Sequence, residues 1–446
     1  MSFIAHLLIC SPGRPTVLRA RGFTPLLTSL LALAAATTAR GEIPKLTAAA
    51  HSIVGANQGV YVEAQDGTVL VAQAANRPVH PASVSKVPTT LALLRKFGTD
   101  HRFVTTFATS GRIDHGILYG DLQVESDGDP FLLDEDALLV AERLKQYGIR
   151  RIVGKVRPRG PLMFNWQSDD AGVSLGKTLS GSAPPAAWSV VRALEASNLG
   201  SSGGVAPGIP FDQAAVAPVA PVAPVAAAGT MPRIEESGQP QSPPLGRVLI
   251  IHRSQPLLTL AKALNDYSNN IFKPFADAAG GAQAVADLAR SAVPRDMRSE
   301  IFLGDGAGTD PRNRLSPRVA VKLLRALEEE LVASGHALFD ILPVAGVDDG
   351  TLQKRLNGPD EAGRVLGKTG TFGSYGASAL IGAFRTTDHG TVYFAILNHG
   401  VPVPEARRRQ DRFVRLLLTQ YQTERWPYSR DDKPAIARAE VLIAPP

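Results

Sequence analysis

The stretch HPASVSKVPTTLALL, residues 80–94, places a serine and a lysine one helical turn apart ahead of an apolar run. If a helix begins near Ser83, residues three apart share a face, so the hydroxyl of Ser83 and the amine of Lys86 point the same way. A serine hydroxyl becomes a nucleophile when a base takes its proton, and a lysine can be that base when its pKa is lowered. Alone, the pattern is more typical of a helix N-cap followed by a solvated lysine.

Two further polar motifs follow along the chain, SNN at 268–270 and KTGT at 368–371. Each arises easily by chance, but in this order the three motifs provide the parts of an acyl-transfer site. The SNN motif lies on a turn between two predicted helices. There Ser268 would supply a second hydroxyl for proton relay, and Asn270 an amide that holds the substrate.

The third motif lies on a predicted strand and suits the anionic end of a substrate. Lys368 and Thr369 offer a cation and a hydroxyl, and Gly370 lets a substrate backbone approach closely. The backbone N–H groups of Ser83 and Thr371 would form an oxyanion hole. The predicted catalytic residues are Ser83, Lys86, Ser268 and Asn270, and the predicted substrate-binding residues are Lys368, Thr369, Gly370 and Thr371.

These motifs resemble those of the D-alanyl-D-alanine carboxypeptidase/endopeptidase family, the class C low-molecular-mass penicillin-binding proteins of the penicillin-recognising superfamily of serine peptidases. The stretches that carry the resemblance are HPASVSKVPTTLALL, GDLQVESDGDP (120–130), SNNIFKPFADAAGG (268–281), GDGAGTD (304–310) and LPVAGVDDGTLQKR (342–355). The resemblance covers roughly residues 50–160 and 250–400.

The resemblance implies an α/β (α+β) penicillin-binding/β-lactamase-like transpeptidase fold. Such a fold has an antiparallel sheet flanked by helices and an all-helical subdomain, and this family adds a β-rich inserted module. The resemblance also implies that Ser83 is acylated, with Lys86 as its base. The expected activity is that of a serine-type D-Ala-D-Ala carboxypeptidase or endopeptidase on peptidoglycan stem peptides, with β-lactams as covalent inhibitors.

Two alternatives stay open at this stage. The same scaffold also supports β-lactamases and esterases, and Tyr267 with Asn269 fits the Y-x-N pattern that such enzymes use. The second alternative is a peptidoglycan-binding homologue without catalytic activity. Acylation by a fluorescent penicillin separates the inert homologue from the enzymes, and rapid release of hydrolysed penicillin would indicate a β-lactamase.

The spacing of the motifs predicts a discontinuous peptidase domain. The distance from Ser83 to Ser268 is 268 − 83 = 185 residues, which leaves room for an inserted module. The run AAVAPVAPVAPVAAAG (214–229) has too many prolines for a helix or a strand and predicts a disordered linker. The predicted divisions are a signal peptide at 1–39, the peptidase domain at 42–100 and 247–425, an inserted β-rich domain at 101–199, the linker at 200–246 and a C-terminal tail at 426–446.

The N-terminal residues have the pattern of a cleavable export signal. Arg14, Arg19 and Arg21 precede PLLTSLLALAAA (25–36), an apolar run too short to span a bilayer, and small residues follow it. An A-x-A site at 34–36 suits signal peptidase. We therefore expect an exported protein of the periplasm or cell envelope.

Composition excludes several other classes of function. The net charge of +6 is spread along the chain, and the densest basic run, 405–415, includes acids and lacks interleaved aromatic residues, so nucleic-acid binding is not expected. The single cysteine, Cys10, permits no internal disulfide and no thiol metal site. No cofactor or metal is predicted. The apolar face of a predicted helix at 405–422 suits core packing, with peripheral membrane contact kept open.

Periodicity predicts most of the remaining elements. They are a hairpin at 59–73, amphipathic helices at 134–148, 316–334 and 405–422, a helical pattern at 256–280 interrupted near 267–270, and antiparallel strands within 364–400. Pro88 is the one conflict, because proline removes a backbone donor only five residues after Ser83. We expect the helix either to begin close to Val84 or to bend.

Overall fold

The computed structural model describes residues 45–199, 208–211, 244–267, 272–431 and 438–445. The predicted signal peptide, most of the predicted linker and the motif at 268–270 lie outside the described residues. The chain divides into two units, residues 1–46 and 47–446. Of the first unit only residues 45 and 46 are described, as the start of a helix, and everything below concerns the second.

The described ranges contain ten α-helices and sixteen strands, besides short 3₁₀ turns and loops. The helices are α1 (45–53), α2 (Lys86–Phe97), α3 (Asp134–Gln146), α4 (Val173–Leu179), α5 (Pro185–Leu199), α6 (Leu257–Tyr267), α7 (Phe272–Ala278), α8 (Gly281–Ser291), α9 (Pro317–Ala333) and α10 (Val403–Gln420). The first ten strands are β1 (Gly59–Ala64), β2 (Val69–Gln73), β3 (Val104–Thr109), β4 (Arg112–Asp114), β5 (Ile117–Tyr119), β6 (Leu122–Ser126), β7 (Arg151–Val153), β8 (Val156–Pro158), β9 (Met163–Phe164) and β10 (Gln167–Ser168). The remaining strands are β11 (Arg247–Arg253), β12 (Val365–Phe372), β13 (Ala377–Thr386), β14 (Gly390–Asn398), β15 (Thr423–Glu424) and β16 (Glu440–Ile443).

A six-stranded antiparallel sheet forms the centre of the molecule, in the order β12-β13-β14-β1-β2 with β15 added beside β13. The hairpin predicted at 59–73 is confirmed as β1 and β2, and the strands predicted within 364–400 are β12 to β14. The turn between β13 and β14 is closed by the Thr386 hydroxyl, which accepts from the His389 N–H and donates to the Gly390 carbonyl. Since β12 is an edge strand, one side of it is available to other parts of the molecule.

Helices cover both faces of this sheet, because successive side chains of a strand point to opposite faces. Ile381 and Ala383 of β13 pack in one buried cluster with residues of α2 and α9. Ser378 lies on the other face, where its hydroxyl accepts a hydrogen bond from Gln410 of α10. The predicted helices at 316–334 and 405–422 are thus confirmed as α9 and α10, both in core positions.

The helix α2 lies at the centre of the helical part of the molecule. Its residues Lys86 to Leu94 are all buried, and it contacts α6, α7, α8 and α9. The surrounding helices explain why even its polar residues Lys86, Thr89 and Thr90 are buried. The interruption predicted near 267–270 separates α6 from α7.

Pro88 fits the helix without a kink. Residues Ala82–Ser85 form a 3₁₀ turn, and the α-helix begins only at Lys86. Pro88 is therefore in the first turn of α2, where a backbone N–H has no partner within the helix. The sequence predicted either a helix start close to Val84 or a bend, and the structure shows a 3₁₀ turn at Ala82–Ser85 that changes to an α-helix at Lys86.

The inserted module begins with β3 and is larger than its predicted boundaries. Its five-stranded sheet has the order β16-β11-β3-β6-β8, and a three-stranded sheet has the order β4-β5-β7. The boundary predicted at residue 247 is corrected, because β11 pairs with β3 along Arg247–Arg253 and belongs to this sheet. The predicted tail at 426–446 contributes β16, which pairs with β11. The module also contains three helices, α3 to α5, where the sequence indicated one.

The module is attached to the peptidase domain by side-chain packing as well as by the chain itself. Its own core is a separate cluster that includes Phe107, Val124 and Ile250. Phe103 and Phe131, at the base of the module, pack instead in the cluster that encloses α2. Within the described ranges, no helix has the length and apolar character needed to cross a lipid bilayer.

Candidate active site

Ser83 and Lys86 are held together by the 3₁₀ turn that precedes α2. In a 3₁₀ helix, residues i and i+3 eclipse each other, so the two side chains stand on the same side of the turn. The Lys86 Nζ lies 2.7 Å from the Ser83 Oγ, to which it donates a hydrogen bond. The Ser83 side chain is partly exposed, which leaves its oxygen accessible to a substrate.

Lys86 is fully buried, and burial determines its chemistry. Its Nζ lies 5.4 Å from the centre of the Phe272 ring, and removal from water disfavours the charged form of an amine. Burial lowers the pKa of Lys86 to about 7, and the more distant carboxylate of Asp305 opposes this shift. At neutral pH a substantial fraction of the amine is unprotonated and able to accept the serine proton.

Lys368 supplies a second buried amine on the edge strand β12. Its Nζ donates to the backbone carbonyl of Thr369 at 3.2 Å. Burial, followed by the charge of Lys86, holds the pKa of Lys368 well below its usual value, and the Asp266 carboxylate opposes the shift. Two buried amines close together disfavour each other's charged form, and an anion bound there would favour it.

The threonine hydroxyls of the KTGT motif bond to residues other than the two lysines. The Thr369 hydroxyl donates to the Thr351 hydroxyl at 2.8 Å. The exposed Thr371 hydroxyl accepts a hydrogen bond from the Arg407 guanidinium of α10 at 2.9 Å. The end of β12 therefore presents hydroxyl groups and one exposed cation at the edge of the site.

Two glycines allow their segments to approach the serine turn. A Cβ on Gly370 would lie 2.7 Å from the Pro81 carbonyl oxygen and 3.1 Å from the Ser83 nitrogen. On another side, a Cβ on Gly308 would lie 2.1 Å from the Ala82 carbonyl oxygen. Because real Cβ contacts are not this short, only glycine allows β12 and the 304–310 loop to lie against the turn at these positions.

The 304–310 loop is organised by the carboxylate of Asp305. This carboxylate accepts hydrogen bonds from the backbone N–H groups of Gly308, Thr309 and Asp310 and from the Asn313 amide. Burial opposes ionisation of Asp305, but these hydrogen bonds outweigh it and lower the pKa of the carboxyl. The loop is therefore a fixed support for the serine turn.

The segments on both sides of the SNN motif contact the site. The Asp266 carbonyl, near the end of α6, accepts from the Thr351 N–H at 2.9 Å, and Thr351 contacts Thr369. Burial raises the pKa of the Asp266 carboxyl to about 7, although Lys262 opposes the shift. Ser268 and Asn270 themselves lie outside the described residues, so their roles stay predictions.

The six predicted site residues that the structure describes lie in two adjacent segments, the serine turn with Lys86 and the end of β12. Sequence reasoning missed four neighbours: His80, Asp305, Thr351 and Arg407. His80 lies three residues before Ser83, and this position is the local signal that could have identified it. Thr351 and Arg407 reach the site only through tertiary packing. Among the described residues, no three His, Cys, Asp or Glu side chains lie together as they would in a metal site.

The sequence profile of the D-Ala-D-Ala carboxypeptidase 3 (S13) family matches residues 39–164 and 233–420 of this chain. The two matched ranges together make up well over half of the 446 residues. The gap between them lies within the inserted module and the predicted linker.

Solved structures with the same fold include a penicillin G-acylated predatory endopeptidase, Bd3459, from Bdellovibrio bacteriovorus in complex with its immunity protein. It is 21% identical, with a TM-score of 0.69, over 87% of this chain and 99% of the other. Penicillin-binding protein 4 from Haemophilus influenzae is 17% identical, with a TM-score of 0.56, over 85% and 98% of the two chains. These likenesses confirm the penicillin-recognising fold predicted from the three motifs.

Proposed function

Because the chain belongs to the D-Ala-D-Ala carboxypeptidase 3 (S13) family of serine peptidases, we propose that it cleaves D-Ala-D-Ala stem peptides through an acyl-enzyme on Ser83. The observation that carries the proposal is the 2.7 Å contact between the Ser83 hydroxyl and a buried amine whose pKa is lowered to about 7. That pair provides a nucleophile and its base at neutral pH.

In the first step, neutral Lys86 takes the hydroxyl proton while the Ser83 Oγ forms a bond to the carbonyl carbon of the penultimate D-alanine. The backbone N–H groups of Ser83 and Thr371 stabilise the developing oxyanion. The bond to the terminal D-alanine then breaks, and the proton passes from Lys86 through Ser268 to the leaving amine. Water attacks the resulting ester, which releases the shortened peptide and returns the proton to Ser83.

Recognition of the substrate carboxylate is assigned to the end of β12. Lys368 provides a buried cation and Thr371 a hydroxyl donor, and the Thr369 hydroxyl would donate once its proton turned from Thr351 to the substrate. An incoming carboxylate restores the charged form of Lys368, because it supplies the opposite charge that this buried amine lacks. Binding and charging of Lys368 are therefore coupled.

Endopeptidase cleavage of cross-linked peptides uses the same groups with a larger leaving amine. One of the solved structures with this fold is named as an endopeptidase acylated by penicillin G, and another as a penicillin-binding protein. These names support both the endopeptidase activity and covalent inhibition by β-lactams. The substrate is a wall polymer, so we further propose that the chain is exported to the periplasm, as the pattern of residues 1–39 indicates.

The first prediction is that fluorescent penicillin labels the wild-type protein and does not label Ser83→Ala. The matched control is Ser85→Ala, two residues along the same turn. The Ser85 hydroxyl is buried and, among the described residues, has no hydrogen-bond partner, so its removal should leave labelling intact. Labelling of Ser83→Ala at the wild-type rate would overturn the assignment of the nucleophile.

Mass spectrometry of a pentapeptide digest tests the substrate. The wild-type protein should remove one D-alanine, and Ser83→Ala should remove none. A folded wild-type protein that takes the penicillin label but leaves both pentapeptides and cross-linked dimers intact would contradict the peptidase assignment. Rapid release of hydrolysed penicillin, in place of a lasting adduct, would instead favour a β-lactamase.

A further inference from the structure

The residue before the proposed nucleophile has a strained backbone. Ala82 has a φ of +49°, in the left-handed region that residues with a Cβ rarely adopt, and it is fully buried. Such a conformation persists only where surrounding contacts enforce it. It determines how the 3₁₀ turn enters Ser83, so the contacts that enforce it also determine where the Ser83 Oγ points.

His80 makes the side-chain contact that holds this strained residue. Its Nδ1 accepts a hydrogen bond from the Ala82 N–H at 3.1 Å, and its Nε2 lies 3.0 Å from the Asp310 carbonyl oxygen. A backbone N–H can only donate and a carbonyl can only accept, so the ring must be neutral with its proton on Nε2. One imidazole thus joins the serine turn to the 304–310 loop.

The same ring is also stacked on the end of β12. The His80 and Phe372 rings are 4.7 Å apart at 15°, and Phe372 stacks on Tyr375 at 5.0 Å and 9°. Phe372 directly follows the KTGT motif. His80 therefore contacts three segments at the site: the serine turn, the 304–310 loop and the edge strand.

We propose that His80 is a positioning residue, whose Nδ1 holds Ala82 in the left-handed region and so aims the Ser83 hydroxyl at Lys86 and the substrate. The proposal rests on the proposed function of Ser83. Packing on the other side of the turn supports it, because Gly308 lies against the Ala82 carbonyl with no room for a Cβ. Ala82 is held at its carbonyl by packing and at its N–H by the imidazole.

Three substitutions separate the contacts of the imidazole. His80→Asn keeps an acceptor for the Ala82 N–H, because an asparagine oxygen accepts from the N–H two residues later in an Asx-turn. It loses the ring that stacks on Phe372. His80→Phe keeps the stack on Phe372 and loses the acceptor. His80→Gln places a side-chain amide at the distance of Nε2, so it keeps a donor for the Asp310 carbonyl. It has no acceptor in the position of Nδ1, so it loses the hydrogen bond from the Ala82 N–H.

The measurement is the rate constant of acylation by penicillin at saturation, separated from the apparent affinity by varying penicillin concentration. The acylation rate constant should fall at least about tenfold in His80→Phe and in His80→Gln, and no more than about threefold in His80→Asn. The apparent affinity should change little in all three. Thermal unfolding identifies the variants that fold, and His80→Gln tests the loss of the acceptor if His80→Phe does not fold.

The outcomes distinguish this proposal from the proposed function. Acylation of His80→Phe and His80→Gln at the wild-type rate, or an equal loss in His80→Asn, would overturn the role of Nδ1 while leaving Ser83 as the nucleophile. A wild-type protein that takes no label would overturn the proposed function itself. Loss of affinity in place of loss of rate would make His80 a binding residue and would also overturn the proposal.

Discussion

At the scale of single residues, the chemistry of Lys86 comes from its position more than from its type. Lysine is protonated at neutral pH when solvated, and only complete burial brings its pKa to about 7. The sequence predicts that Lys86 lies beside Ser83, because three residues separate them. It does not predict that Phe272 and the helices around α2 exclude water, since those contacts are distant in the chain.

The second prediction concerns the pH dependence of acylation. Lys86 acts as a base in its neutral form, so the acylation rate should rise with pH and level off above about pH 7, falling about tenfold for each pH unit below that value. Stopped-flow measurement with a fluorescent penicillin between about pH 5.5 and about pH 8.5 tests this.

Lys86→Arg provides the matched variant, because arginine keeps the charge and cannot act as a base. Acylation should fall on the order of a hundredfold or more. Lys96→Arg, on the exposed part of the same helix, should acylate as the wild type does. A rate that does not change with pH in the wild-type protein would contradict the role of Lys86.

At the scale of elements, the close packing of β12 against the serine turn depends on Gly370. The alternation of residues within 364–400 predicts the strand. That the serine turn lies against this strand was predicted only from the three motifs taken together, because the turn is more than 280 residues away in sequence (368 − 83 = 285) and no local pattern spans that distance. The change from 3₁₀ to α-helix at Lys86 was also missed, although Pro88 signalled that an uninterrupted helix from Ser83 was in conflict with the sequence.

The third prediction is that Gly370→Ala slows acylation at least about tenfold. The added Cβ would lie 2.7 Å from the Pro81 carbonyl oxygen, so β12 or the serine turn must move. Gly373→Ala is the control three residues further on, where a Cβ meets nothing within 4 Å. Acylation rates and thermal unfolding of both variants should be compared, and equal rates would show that the close approach does not matter for chemistry.

At the scale of the whole molecule, the sequence predicts that a module interrupts the peptidase domain but misplaces where it ends. The run RVLIIHR at 247–253 has the alternation of a strand, and alternation does not show which sheet a strand joins. Residues 426–446 were predicted as a tail for the same reason, since the short strand β16 is stabilised by β11 and α3, which are distant from it in the chain. Side-chain pattern predicts elements well and long-range pairing poorly.

A buried polar cluster holds the module together at its base. His252 of β11 lies 2.9 Å from an Asp136 carboxylate oxygen of α3, and its other ring nitrogen lies 3.8 Å from Asp129. Burial opposes the charge on His252, but the Asp136 carboxylate outweighs it and raises the pKa of the ring. Burial also raises the pKa of Asp129 to about 7.

The fourth prediction follows from the raised pKa of Asp129. The folded protein binds a proton that the unfolded chain releases above about pH 4, so this residue stabilises the fold fully at low pH and loses its contribution as pH rises to about 7. Relative to Asp129→Asn, which stays neutral, the wild-type free energy of unfolding should fall by at most about 1.4 kcal/mol per pH unit in that range.

Urea unfolding of the two proteins at several pH values measures this difference. Titrating groups distant from Asp129 contribute equally to both proteins and cancel in the comparison, whereas His252, which faces Asp129, contributes to the measured difference together with it. Asp360→Asn, at an exposed position, is the control and should follow the wild type at every pH. A difference between wild type and Asp129→Asn that is constant with pH would contradict the buried proton.

The order in which the chain is synthesised gives the pairing of β16 a further consequence. The five-stranded sheet combines strands from residue 104 to residue 443, and the six-stranded sheet takes β15 from residues 423–424. Neither sheet can be completed until nearly all of the described chain has left the ribosome. Such long-range pairing also slows folding, because loops of several hundred residues must close before the strands meet. We therefore expect the native fold to be reached after synthesis, not during it.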